Sequence, residues 1–153
     1  MPDMPNIDLK ERDNFAYFTN VTTRYSDQDE LGHINNCSYV TYVEAGRVQF
    51  LGGLLDPNRH PGIDLILARV TVNYLRESHY PGIMEVGSRI LELGSKSMTT
   101  GYGLFKDGHC VATAGSVNIY FEVESRNTIE IPTDIRAALE ADPTQADRAG
   151  TSR

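Results

Sequence analysis

The chain has 153 residues, a length that one domain fills. Hydrophobic residues make up 40% of it, enough for a packed core, which excludes a wholly disordered chain. The net charge of -7 and a pI of about 5.0 exclude nucleic acid as the main partner, because an acidic surface repels phosphate backbones.

Residues 1–14 are polar, contain two prolines and read as a flexible N-terminal arm. They have neither the basic nor the apolar segment of a signal peptide. No apolar run approaches the ~20 residues that span a bilayer, so no membrane partner is expected. Cys37 and Cys110 make no metal or redox spacing. Both are expected as free thiols in a reducing compartment, which makes the cytoplasm the expected location.

The folded domain is expected over residues 15–141. Residues 16–25 hold Tyr17, Phe18, Val21, Thr22, Thr23 and Tyr25, and aromatic and β-branched residues of this kind favour a pleated strand. The polar stretch that follows, with Gly32 as its flexible point, reads as a loop. A helix comes next, capped by Asn35 or Asn36. Its core stripe is Tyr39, Val40, Val43, Gly46, Phe50 and Leu51, with Gly46 permitting a close approach, and Gly52-Gly53 ends it. Strands are expected over 63–75, 84–93, 98–105 and 110–124. His79-Tyr80-Pro81-Gly82 reads as a turn, and Asp107-Gly108 as a two-residue hairpin turn. Thr133 can cap a short helix over 134–140, and residues 142–153 read as a disordered tail. Strand, helix, four strands and a short helix make an α+β domain in which about five antiparallel strands bury one face on one long helix. The other face and the sheet edges need cover, which points to an oligomer.

The loop before the helix gathers Asp27, Asp29, Glu30, His33, Asn35 and Asn36 within ten residues. A helix N-terminus carries about half a positive charge and unpaired amides, so it can hold a developing oxyanion. A nearby carboxylate can attack a carbonyl or activate water. The same residues also serve as ordinary helix caps and as a solvated acidic loop. Glu44 and Arg47, three apart, can pair on one helix face. His60, His79 and His109 share no ligand spacing, so no metal is expected.

Residues 25–51, YSDQDELGHINNCSYVTYVEAGRVQFL, resemble the signature of hotdog-fold acyl-CoA thioesterases, the 4-hydroxybenzoyl-CoA thioesterase-like superfamily. The matching positions are Asp27, Asp29, Gly32, His33, Ile34, Asn35, Asn36, Tyr39, Glu44 and Arg47, and the strand order fits from about residue 17 to 132. The resemblance implies a hotdog fold, with the sheet wrapped around the long central helix and a short C-terminal helix. It implies Asp29 as the catalytic carboxylate, nucleophile or general base, with Asp27 bracing the loop. The amides near Asn36 and Cys37 match a helix-end oxyanion hole. His33 departs from the aromatic-substrate branch and matches acyl-chain enzymes; it can orient water, share the base role or brace the loop. Asn35, Cys37, Tyr39, Tyr42, Lys96 and Ser97 are expected against substrate, with Arg69 and the turn 94–97 as further groove residues. Core packing is the competing role for Tyr39, and a solvated turn for Lys96.

The function expected on this basis is hydrolysis of an acyl-CoA thioester by a homodimer or homotetramer, with no cofactor. An acyl-carrier-protein thioesterase, an acyl-CoA-binding module without activity and a hydratase are the alternatives. The first lacks a basic docking patch, the second a DNA-binding segment, and the third a motif of its own.

Overall fold

A computed structural model describes residues 6–141, and the tail expected over 142–153 lies outside them. The elements run β1 (Tyr17–Thr22), α1 (Asn36–Leu51), β2 (Ile63–Tyr74), β3 (Ile83–Leu93), β4 (Ser97–Lys106), β5 (His109–Glu122) and α2 (Thr133–Ala141). This is the order the sequence predicts, with ends shifted by at most three residues. Every strand pairing is antiparallel, and the sheet order is β1-β3-β4-β5-β2. The chain therefore crosses from one sheet edge to the other through α1. Asp107 and Gly108, with φ of 53° and 78°, form the tight turn between β4 and β5. Among the described residues no helix is long and apolar enough to cross a membrane.

Helix α1 lies on one face of the sheet. Tyr39, Tyr42 and Val43 pack with Met84 and Val86 of β3, Tyr102 and Leu104 of β4 and Ala112 and Ala114 of β5. Phe50 and Leu51 continue into a second cluster with Ile90, Met98 and Tyr120, which Ile135 and Leu139 of α2 close. Val40, predicted in the stripe, is instead partly exposed at 39%. It falls one residue off the i, i+3, i+4, i+7 row traced by Tyr39, Tyr42, Val43 and Gly46. Gly46 sits where a Cβ would stand 2.5 Å from Val86 Cγ1, so the helix approaches β3 through a missing side chain.

The opposite sheet face carries glycines too. A Cβ on Gly87 would meet the Phe15 ring at 2.6 Å, and one on Gly103 would meet the Leu9 carbonyl at 2.6 Å. Residues 9–15 thus lie flat on β3 and β4. Arg12 pairs with Glu85 at 2.6 Å and stacks over Phe18 at 4.3 Å. The N-terminal segment, expected as a loose arm to residue 14, is tied down from about residue 8, and part of the sheet face expected to need a partner is covered by the chain itself.

The loop between β1 and α1 is locked by Asp27, which is 2% exposed. Its Oδ2 accepts from Arg24 N–H at 2.9 Å and from the Tyr42 hydroxyl at 2.7 Å. Its Oδ1 accepts from the Arg24 guanidinium at 3.1 and 3.2 Å. Its carbonyl accepts from Asn35 N–H at 2.8 Å and Ser38 Oγ at 3.0 Å. Burial works to raise the pKa of this carboxyl, but the Arg24 and Tyr42 donors outweigh it and hold it below its ordinary value. Burial, then the Asp27 charge, push the Tyr42 hydroxyl well above its ordinary range, so it remains a donor.

Both the glycine contact and the buried lock have consequences for stability. Gly46→Ala gains about 1 kcal/mol of helix propensity and meets Val86, where overpacking costs about 1–3 kcal/mol; a net loss is expected, read as a lower urea midpoint at unchanged slope. Tyr42→Phe removes a hydrogen bond to a buried charge and is expected to lose about 1.5–3 kcal/mol at pH 7. Because the folded pKa of Asp27 is lowered, its stabilisation is present above the unfolded value of about 3.9 and is lost as pH falls through the folded value. The difference between wild type and Tyr42→Phe in denaturant titrations should therefore narrow below about pH 3.9.

Candidate active site

Two residues beyond the Asp27 lock the chain folds back on itself. Asp29 N–H donates to the His33 carbonyl at 2.8 Å, and Gly32 N–H to the Asp29 carbonyl at 3.1 Å. Gly32 takes φ of +78°, which a side chain would disfavour. The Asp29 carboxylate closes the turn: Oδ1 accepts from Leu31 N–H at 2.9 Å and from His33 N–H at 3.2 Å. Oδ2 makes no hydrogen bond among the described residues. One oxygen is therefore held, which orients the group, and the other is available for chemistry.

At the start of α1, Asn35 is the cap. Its side chain accepts from Cys37 N–H at 2.8 Å, and its carbonyl from Ser38 N–H at 2.9 Å. The Cys37 amide, expected as an oxyanion donor, is thus already engaged. Asn36 N–H has no partner among the described residues and stands at the positive end of the helix dipole.

Asp29, His33, Asn36 and Tyr39 line one cleft of about 380 Å³, with Ile34, Tyr74, Leu75, Arg76 and Glu77 as its other walls. This volume suits a small-molecule site. Larger hollows of about 660 and 500 Å³ lie beside residues 6–12 and bring together no comparable set. The Tyr39 ring is buried, and its hydroxyl lies 2.7 Å from Ser78 Oγ. Burial raises its pKa, so it stays neutral. Tyr74 lies edge-on to Tyr39 at 5.4 Å and donates to the Asn36 carbonyl at 3.0 Å.

Other predicted site residues lie elsewhere. Tyr42 is 2% exposed and belongs to the Asp27 lock rather than to the cleft. The Cys37 side chain is exposed on the first turn of α1. Lys96 lies in the turn between β3 and β4, with Nζ 3.4 Å from Thr128 Oγ1, and Ser97 begins β4. Ser97 pairs with Ile119, whereas Tyr74 of the cleft pairs with Ala112. That separates them by seven residues of β5, roughly 24 Å at ~3.4 Å per residue. Glu44 and Arg47 form no ion pair among the described residues; Arg47 reaches Asn118 Oδ1 on β5 at 3.5 Å instead.

Tyr74, Arg76, Glu77 and His79 are the residues that sequence reading missed. The polar run at the end of a predicted strand was their one visible signal, and nothing tied it to a motif forty residues away. His33 Nε2 lies 3.3 Å from Glu77 Oε2, and His79 Nδ1 lies 3.2 Å from the Gly32 carbonyl. His33, Glu77 and His79 bring one ligand atom each within 4.8 Å of one another, close enough to hold a metal ion between them.

Residues 23–139 match the family model of the thioesterase-like superfamily. The chain is 26% identical over 128 residues to the uncharacterized protein YsmA of Bacillus subtilis, spanning 83% of this chain and 86% of that protein. It is similar to the crystal structure of the PA5185 protein of Pseudomonas aeruginosa, with a TM-score of 0.74, 27% identity and coverage of 85% and 93% of the two chains. It is also similar to a thioesterase of Thermus thermophilus solved with coenzyme A and Zn, with a TM-score of 0.69, 26% identity and coverage of 80% and 96%. A family match over more than half the chain, joined to a five-stranded antiparallel sheet that packs one long helix, places this protein in the thioesterase-like superfamily with the hotdog fold.

Proposed function

We propose that the protein hydrolyses acyl-CoA thioesters, with Asp29 as the reacting carboxylate. Superfamily membership supports thioester hydrolysis in general. One observation carries the finer reading: a clamped carboxylate with a free oxygen, an unpartnered helix-terminal amide and an apolar wall meet in the same cleft. The free Asp29 oxygen either adds to the thioester carbonyl or takes the proton of a water that adds. The carbonyl oxygen gains the negative charge, which the Asn36 amide and helix dipole stabilise. Collapse breaks the C–S bond, and coenzyme A leaves as a thiolate. In the additive route a water then cleaves the anhydride formed between Asp29 and the acyl group, which releases the acid and restores the carboxylate. Ile34, Tyr39 and Tyr74 offer the acyl group an apolar surface. Arg76 supplies a cation for an anionic ligand on a protein of net charge -7.

His33 serves this reading mainly through its backbone, which both donates to and accepts from Asp29, while its ring faces Glu77. Asp29→Asn is expected to lower kcat at least about tenfold, and His33→Ala to lose less, in thiol-release assays across short, long, branched and aromatic acyl-CoAs. Full turnover by a folded Asp29→Asn enzyme sinks the proposed role. No release from any acyl-CoA, with binding retained, moves the protein to a binding role or a carrier-protein substrate.

The same reading includes self-association. Strand β2 is a sheet edge twelve residues long, with Ile66, Leu67 and Val70 exposed at 41, 42 and 38%. An edge of this length and apolarity is a template for a second strand. Light scattering on a sizing column is expected to find at least a dimer, and Val70→Lys to shift it toward monomer.

A further inference from the structure

We propose that His33, Glu77 and His79 form a binding site for one divalent transition-metal ion of the zinc class, on the rim of the cleft. Their donor set is two imidazoles and a carboxylate, with one ligand atom each inside a 4.8 Å span. Three-ligand zinc sites use this set and leave a fourth position open. Imidazole nitrogen selects zinc, nickel and cobalt over calcium and magnesium, which favour oxygen.

The two segments that carry the ligands are fixed against each other. Ile34 N–H donates to the Ser78 carbonyl at 2.9 Å, and the Ser78 side chain, 5% exposed, meets the Tyr39 hydroxyl at 2.7 Å. With Ser78 anchored inward, its neighbours Glu77 and His79 are left exposed and meet His33, which sits beside Ile34.

The hydrogen bond behind the His79 ring favours a ligand role for it. Its Nδ1 lies 3.2 Å from the Gly32 carbonyl, which can only accept, so Nδ1 carries the hydrogen and Nε2 keeps its lone pair. A carbonyl that fixes the tautomer from behind is the usual partner of a metal-bound imidazole. At a tetrahedral ion with bonds of about 2.05 Å, ligand atoms stand roughly 3.3 Å apart. His33 Nε2 and Glu77 Oε2 already stand 3.3 Å apart, and no separation in the set exceeds 4.8 Å, so closing on an ion takes about 1.5 Å at most. The rival account is a plain His33–Glu77 ion pair with His79 as a bystander.

The ion would join residues 32–33 to 77–79, and thereby fix the turn that clamps Asp29. The site stands independently of thioester hydrolysis, since its test reads metal and not turnover. Full-length protein stripped with chelator is titrated with Zn2+ against a chromophoric chelator. Co2+ follows, for its visible absorption. The expected result is one Zn2+ per chain, with affinity at least about tenfold weaker in both His79→Ala and Glu77→Gln and unchanged in the exposed control His109→Ala. Absence of stoichiometric uptake, or uptake that is equal in all three variants, overturns the site. Near-ultraviolet circular dichroism confirms that each variant is folded before titration.

Discussion

A carboxylate with almost no contact with water holds this architecture in register. A buried charge is tolerated only where donors replace the water it has lost. Asp27 obtains them from the Arg24 backbone and guanidinium on one side and from the Tyr42 hydroxyl on the other. Tyr42 lies near the end of the second turn of α1, so the lock binds the loop to the helix body rather than to its fraying end. Asn35 N–H and Ser38 Oγ take the Asp27 carbonyl and tie in the helix start as well. Asp29 inherits its position from this arrangement. One residue, Gln28, separates it from the lock, and a turn of backbone bonds fixes the rest.

Small residues decide how closely the layers meet. Gly46 lets α1 settle against Val86, and Gly87 and Gly103 let residues 9–15 lie on the opposite face. A side chain at any of these points would hold the layers apart. The distance from helix to sheet in turn sets the cleft, because its far wall is the end of β2 and the residues just beyond it. The hydrogen bond from Tyr74 to the Asn36 carbonyl joins that wall to the helix start.

The proposed chemistry rests on a division of labour within single groups. One Asp29 oxygen is consumed by structure and the other is left free. At the helix start, the Cys37 and Ser38 amides are satisfied by Asn35, and the Asn36 amide is left over. Asp29 is half-exposed and Asn36 exposed, so water can satisfy both groups when no ligand is present. The proposed site rests on their placement in one cleft, where a substrate carbonyl can replace that water.

Much of this was legible in the sequence. The helix over residues 36–51, the Asp107-Gly108 turn and the strand order follow from local rules of periodicity and turn chemistry, which need no knowledge of distant residues. The motif from Asp27 to Asn36 was legible through its resemblance to the thioesterase signature, since its members are neighbours along the chain, and it makes this loop the proposed chemical centre. The tertiary structure alone decided that Tyr42 serves Asp27, that Arg47 turns to Asn118, that Lys96 and Ser97 sit far from Asp29 along the sheet, and that residues 9–15 cover a sheet face. It alone brought Tyr74, Arg76, Glu77 and His79 to the motif. Those relations depend on which strand returns beside the helix and at what distance, and that is set by packing between residues that are not neighbours along the chain, which leaves no periodic trace in it.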